Sequence, residues 1–246
     1  MSIAASDRYL GQRLAHCYAE LQEAGALRTW APYHLGIGPV KQIHVRFNNH
    51  WGRLAEAESM DYRVTVTDQE GLITFTEVFR LSELASGEVR LSPAPGQPSL
   101  GAVYFGCVSP AVVRWCQGEE IVGDYFYLAY ESAAGYSLIH AQPIQDYARG
   151  TVNCSSAPNC LQVLSSESPT ILVGNPSMQP SVGSLQLEDA ISGQARPLDA
   201  SLEPFEVRAF DLTAVPDGWY TLQCNVGKAY SHLLRSTGDS VIVRHL

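Results

Sequence analysis

The residues best suited to chemistry sit in one short run, Gln42-Ile-His-Val-Arg-Phe-Asn-Asn-His50. Side chains alternate along a strand, so Ile43, Val45 and Phe47 fall on one face while His44, Arg46 and Asn48 fall on the other. His50 could continue that polar face and Trp51 could wall it. Imidazole titrates near neutral pH and a guanidinium steadies negative charge. Two histidines around an arginine could therefore bind an anion, move a proton or ligate a metal. A metal would need a third ligand from the distant His140 or Asp124, so neither a metal site nor a cofactor is expected. The plainer reading of the same pattern is a solvated strand face.

A second cluster is aromatic: Gly123-Asp-Tyr-Phe-Tyr-Leu-Ala-Tyr-Glu131 followed by Tyr136-Ser-Leu-Ile-His140. Alternation puts Tyr125 and Tyr127 on one face, with Phe126, Leu128 and Tyr130 on the other, and aligns Tyr136, Leu138 and His140 on the second strand. A tyrosine row beside His140 could stack on a sugar or polycyclic ligand while the hydroxyls make directional bonds. Tyrosine is also a favoured strand residue, so ordinary packing explains the row as well.

Both clusters depend on a scaffold that the rest of the sequence describes. From Ser6 to Ala26 the spacing of Leu10, Leu14, Cys17 and Leu21 predicts one amphipathic helix, capped by Ser6 or Asp7 and ended by Gly25. Its stripe fits either a short helix–helix seam, giving a homo-oligomer, or packing on the chain's own sheet. After Arg28 the pattern turns to short alternating strands separated by turn residues, the signature of an antiparallel sandwich. Two windows echo one another. The first holds Phe47-Asn48, Tyr62–Asp68 with Gly71, Thr76–Leu81 and Glu88–Leu91; the second holds Gly174-Asn175, Ser184–Asp189 with Gly193, Phe205–Leu212 and Trp219–Leu222. The fold class read from this is mainly β, two related antiparallel β-sandwich-like halves preceded by one α-helix. The expected divisions are a helix at 1–30, a first half at 31–122, the aromatic hairpin and connecting loop at 123–160, and a second half at 161–246. Thr170-Ile-Leu-Val173, the counterpart of the His44 strand, lacks its polar groups, which marks the first half as the specialised one.

Composition narrows the function. A net charge of -9 with 16 Lys+Arg works against phosphate-backbone contacts, and with lysine only at Lys41 and Lys228 there is no polybasic membrane anchor. No apolar run is long enough to span a bilayer, and Met1-Ser-Ile-Ala-Ala-Ser-Asp lacks export features, which predicts a cytoplasmic protein with its 6 cysteines reduced. Cys154 and Cys160 flank a turn-rich loop that could close a disulfide, though two free thiols are the simpler reading. Nucleophile elbow, phosphate loop, His-Glu-x-x-His and dinucleotide motifs are absent. Three functions remain open. The leading one is a non-catalytic protein binding a small molecule or protein partner in a groove between the halves, lined by His44, Arg46, Asn48, Trp51, Tyr125, Tyr127, Tyr136 and His140. The second is an isomerase, cyclase or lyase using His44, His50 or His140 with Arg46. The third is a structural subunit assembling through the helix.

Overall fold

The computed structural model describes residues 7–49, 51–54, 57–94, 98–110, 112–113, 126–144, 159–224 and 230–246. His50, Tyr125, Asp124 and Cys154 lie outside them. The helix α1 spans Leu14–Glu23, a shorter element than Ser6–Ala26. Its start is fixed by backbone pairing: the Gly11 N–H donates to Ile73 O at 2.9 Å and the Leu14 N–H to Gly71 O at 2.8 Å. These bonds hold Arg13 extended, after a 3-10 turn at Asp7–Tyr9 and a bend with Gly11 at φ +77°. Gly25, also at φ +77°, ends the helix as the sequence predicts. Among the described residues no helix is long and apolar enough to cross a membrane.

Strands follow in chain order. They are β1 (Thr29–His34), β2 (Gln42–Asn48), β3 (Ser59–Asp68), β4 (Ile73–Ser82), β5 (Ser86–Leu91), β6 (Leu100–Cys107), β7 (Phe126–Ser132), β8 (Gly135–His140) and β9 (Gln142–Pro143), with one short helix α2 (Trp51–Leu54) after β2. Then come β10 (Asn159–Val163), β11 (Thr170–Gly174), β12 (Ser184–Asp189), β13 (Ala195–Asp199), β14 (Val207–Asp211), β15 (Gly218–Cys224), β16 (Tyr230–Thr237) and β17 (Ser240–His245). Sheet I has the order β4-β3-β6-β1-β9, sheet II β5-β2-β7-β8, sheet III β13-β12-β15-β10 and sheet IV β14-β11-β16-β17. All pairings are antiparallel.

The two halves repeat one topology. Replacing β1–β8 by β10–β17 converts the order of sheets I and II into that of sheets III and IV, with β9 an addition to the first half. Details at strand ends repeat too. Buried Asn49 donates to the Leu81 and Ser82 carbonyls, and buried Asn175 donates to those of Leu202 and Glu203. Shortly after each pair stands a non-glycine residue in the left-handed region, Leu84 at φ 61° and Phe205 at φ 63°. The strand-to-strand register corrects the sequence echo in two places. The repeated asparagine is Asn49, not Asn48. Thr76–Leu81 corresponds to β13, whereas Phe205–Leu212 corresponds to the stretch from Leu84 to Leu91. Shared Glu-Val pairs align the wrong strands, because β4 and β13 have diverged and β13 carries almost no apolar face.

Each half closes over alternating apolar residues. Tyr33, Tyr62, Val64 and Phe105 of sheet I meet Ile43, Val45, Phe47, Phe126 and Leu128 of sheet II; Leu161, Leu185, Leu187 and Leu222 of sheet III meet Ile171, Val173 and Leu233 of sheet IV. The first core then continues into the second half, because the opposite face of sheet IV, with Leu172, Leu234, Val241 and Val243, packs against it. A third cluster covers the outside of sheet I. Leu14, Cys17 and Leu21 of α1, with Phe205 and Val207 of the second half, cover Trp30, Ala102 and Tyr104. The stripe on α1 is thus used inside the chain, the packing on its own sheet that its spacing allowed; Leu10 lies before the helix and is exposed. Burying each of these leucines contributes on the order of 2 kcal/mol.

Candidate functional site

The His44 strand and the aromatic hairpin are neighbours in one sheet. β2 pairs with β7 and β7 with β8, so Arg46 stands beside Tyr127, and Tyr127 beside His140. They share one face of sheet II, within the first half, because β2 and β7 pair directly. On the other side β5 brings Glu88 beside Arg46 and Arg90 beside His44. One row across the sheet therefore reads Glu88, Arg46, Tyr127, His140.

Charge on this face is tightly paired. Glu88 Oε2 accepts from Arg46 Nε at 3.0 Å, and its Oε1 accepts from Arg90 Nε at 2.6 Å. His44 lies between two carboxylates, with Nε2 2.8 Å from Glu131 Oε2 and Nδ1 3.3 Å from Glu88 Oε2. Hydrogen bonding from Arg90, then from Arg46 and His44, pulls the Glu88 carboxyl down to about 2. Tyr136 closes the cluster from β8. Its ring meets the His44 ring edge-on at 5.6 Å between centroids, and the Arg46 guanidinium sits over it at 5.5 Å. His44 is 5% exposed as a result, although it lies on the solvent side of its strand.

Around this fixed centre lie exposed ring and apolar groups: Tyr127 is 49% exposed, Tyr136 57% and Leu138 60%. Arg46 and Asn48 are exposed on the same face, and Phe126, Leu128 and Tyr130 are buried behind it, as alternation predicts. Trp51 is corrected: it opens α2 and is 2% exposed in the first core, so it walls no site. The residues that sequence reading missed are Glu88, Arg90 and Glu131. Alternation puts each on a polar or outward face, but only sheet order reveals that β5 and β7 flank β2.

Cys17 and Cys160 are free thiols, and no group of three metal-ligating side chains among the described residues could hold an ion. Two further histidines belong to the geometry of the molecule. His245 and His232 of sheet IV approach His140, at 4.4 Å between the His140 and His245 centroids and 4.8 Å between those of His232 and His245.

No family model matches the chain, and no curated protein matches it. Among solved structures it is similar to the N-terminal CBM22-1-CBM22-2 tandem domain of Xyn10C from Paenibacillus barcinonensis, at 8% sequence identity and a TM-score of 0.21, over 87% of this chain and 82% of that one.

Proposed function

We propose that this chain is a non-catalytic binding protein whose ligand lies on the open face of sheet II. The observation that carries this reading is the exposure of Tyr127, Tyr136 and Leu138 around charged groups already fixed by one another. Rings on rigid strands give contact area at little entropic cost, and paired Arg46, Glu88 and Glu131 offer aimed donors and acceptors. A hydroxyl-bearing ring compound, such as a sugar unit, fits that combination: its C–H face stacks on tyrosine while its hydroxyls exchange water for the carboxylates and guanidinium. The enzyme reading has less support, because His44 is buried under Tyr136 and its Nε2 is bonded to Glu131, so a substrate would have to displace that ring to reach it.

The test is a titration of the chain with neutral oligosaccharides, read by the NMR signals of tyrosine rings and by calorimetry. Binding should perturb Tyr127 and Tyr136, and Tyr136→Ala should weaken it by about tenfold or more, the ~1–3 kcal/mol of a stacked ring. If every sugar leaves those signals unmoved, or if Tyr136→Ala and Tyr127→Ala both bind as the parent does, the reading fails.

A further inference from the structure

Three imidazoles form a column where the two halves join. His140 ends β8 of the first half, His245 ends β17 of the second, and His232 stands opposite His245 in β16. The column runs from solvent to interior: His140 is exposed, His245 partly buried and His232 fully buried. Its surroundings are built for neutral rings. The Gln142 side-chain N–H donates to His245 Nδ1 at 3.0 Å, which requires that nitrogen to be unprotonated. His140 Nδ1 donates to the Ala141 carbonyl at 3.0 Å. Neither ring nitrogen of His232 makes a hydrogen bond, and its neighbour on β11 is Leu172.

The groups facing the column from each element offer no countercharge. β1 presents the Pro32 backbone carbonyl to His232 and, two residues on, His34, whose Nδ1 accepts from the Gly36 N–H at 2.9 Å. β7 presents the Tyr127 phenol beside His140, and β9 presents the neutral Gln142. Arg244 of β17 points to the opposite face of its strand. Among the described residues no carboxylate pairs with any of the three rings. Beside the column the halves are tied by the Val243 N–H donating to Ser137 Oγ at 2.9 Å and the Ala134 N–H donating to Asp239 O at 3.0 Å.

We propose that this column is a pH-sensitive latch: with neutral rings sheet IV seats on the first half, and protonation loosens the β8–β17 seam while each sandwich stays folded. Added protons would place like charges within contact of one another in a column whose inner end is fully buried, a cost relieved when water enters. Burial, with the neighbouring histidines, pushes His232 down to about 3; burial and His140 push His245 down to about 4. Folded values below the ordinary 6.5 mean that the seam is fully stable above about pH 6.5 and loses stability as pH falls from there toward 4.

Hydrogen exchange on the intact chain, corrected for intrinsic rates and followed from about pH 7.5 to about pH 4.5, tests this. The Val243 and Ala134 amides should lose about tenfold or more of their protection below about pH 6, while β3 and β12 keep theirs. His232→Leu and His245→Gln should hold the seam closed at the lower pH. A seam unaffected by pH, loss of protection throughout the chain at once, or variants that open like the parent would overturn the latch. Imidazole proton NMR on the unaltered chain gives an independent reading: titration of His232 and His245 below about pH 5 supports it, and titration of both near 6.5 refutes it.

Discussion

Sheets II and IV occupy the same place in their halves, yet their corresponding faces have opposite fates. Across sheet II the row Glu88, Arg46, Tyr127, His140 is exposed or half-buried. Across sheet IV the same positions are Ala209, Leu172, His232 and His245, and that face is pressed against the first half. Leu84 and Phe205 make the same contrast at one shared backbone position: Leu84 is 72% exposed, while Phe205 is 1% exposed and packs on Tyr18 and Tyr104. A duplicated sandwich presents one surface twice. Where the residues are apolar, burial joins the halves; where they are charged and cross-paired, desolvation is costly and the face stays free. Histidine is the side chain that persists across both, at His140 and His245, where the two faces meet.

Exchanging residues between the faces breaks the comparison most severely. Leu172→Arg, which writes the Arg46 side chain into the buried face, should cost ~4 kcal/mol or more or prevent folding, because the charge would have no partner. The reciprocal Arg46→Leu should stay within about 1 kcal/mol, and urea denaturation of the pair reads the asymmetry. Gly174 gives the next largest effect. A Cβ there would come within 2.5 Å of Trp30 Cη2, so Gly174→Ala should cost ~2 kcal/mol, while Asn48→Ala at the matching exposed position should stay within about 0.5 kcal/mol.

Glu88→Gln tests the charge pairing. With its folded value near 2 against an ordinary 4.5, Glu88 adds stability that is fully present above about pH 4.5 and lost as pH falls toward 2. Unfolding midpoints measured across that window should fall less steeply in the variant, and the neutral-pH cost should be about 1 kcal/mol, kept small by solvent screening. The smallest effect on stability belongs to Tyr136→Ala, within about 0.5 kcal/mol by thermal unfolding, since the ring is exposed. A cost of several kcal/mol would show that the ring serves the fold and would remove the basis for a binding role.

Much of the scaffold is legible in the residues. The alternation of β2 separates Ile43, Val45 and Phe47 from His44, Arg46 and Asn48 as the structure does, and the same rule sorts Tyr127 from Phe126, Leu128 and Tyr130. The strand Thr29–His34 is hidden, because Pro32 reads as a breaker. It is tolerated because β9 pairs only with Thr29 and Trp30, leaving Pro32 on an unpaired edge. Trp51 illustrates the opposite error, since an aromatic following a polar strand gives no sign that a helical turn will swing it into the core.

Sequence alone determines what is local: which side chains share a face, where glycine must turn the chain, and that two similar stretches of strands follow one helix. Those properties depend on a period of two and on backbone sterics acting over a few residues. Only the tertiary structure decided that β2 lies between β5 and β7, so that Glu88 and Glu131 enclose His44, and that sheet IV rather than sheet II is buried between the halves. Both are matters of which strands, tens of residues apart, pair and pack. That choice is made by the summed burial of Leu172, Leu234, Val241 and Val243 against the first core, a sum that no single stretch of sequence contains.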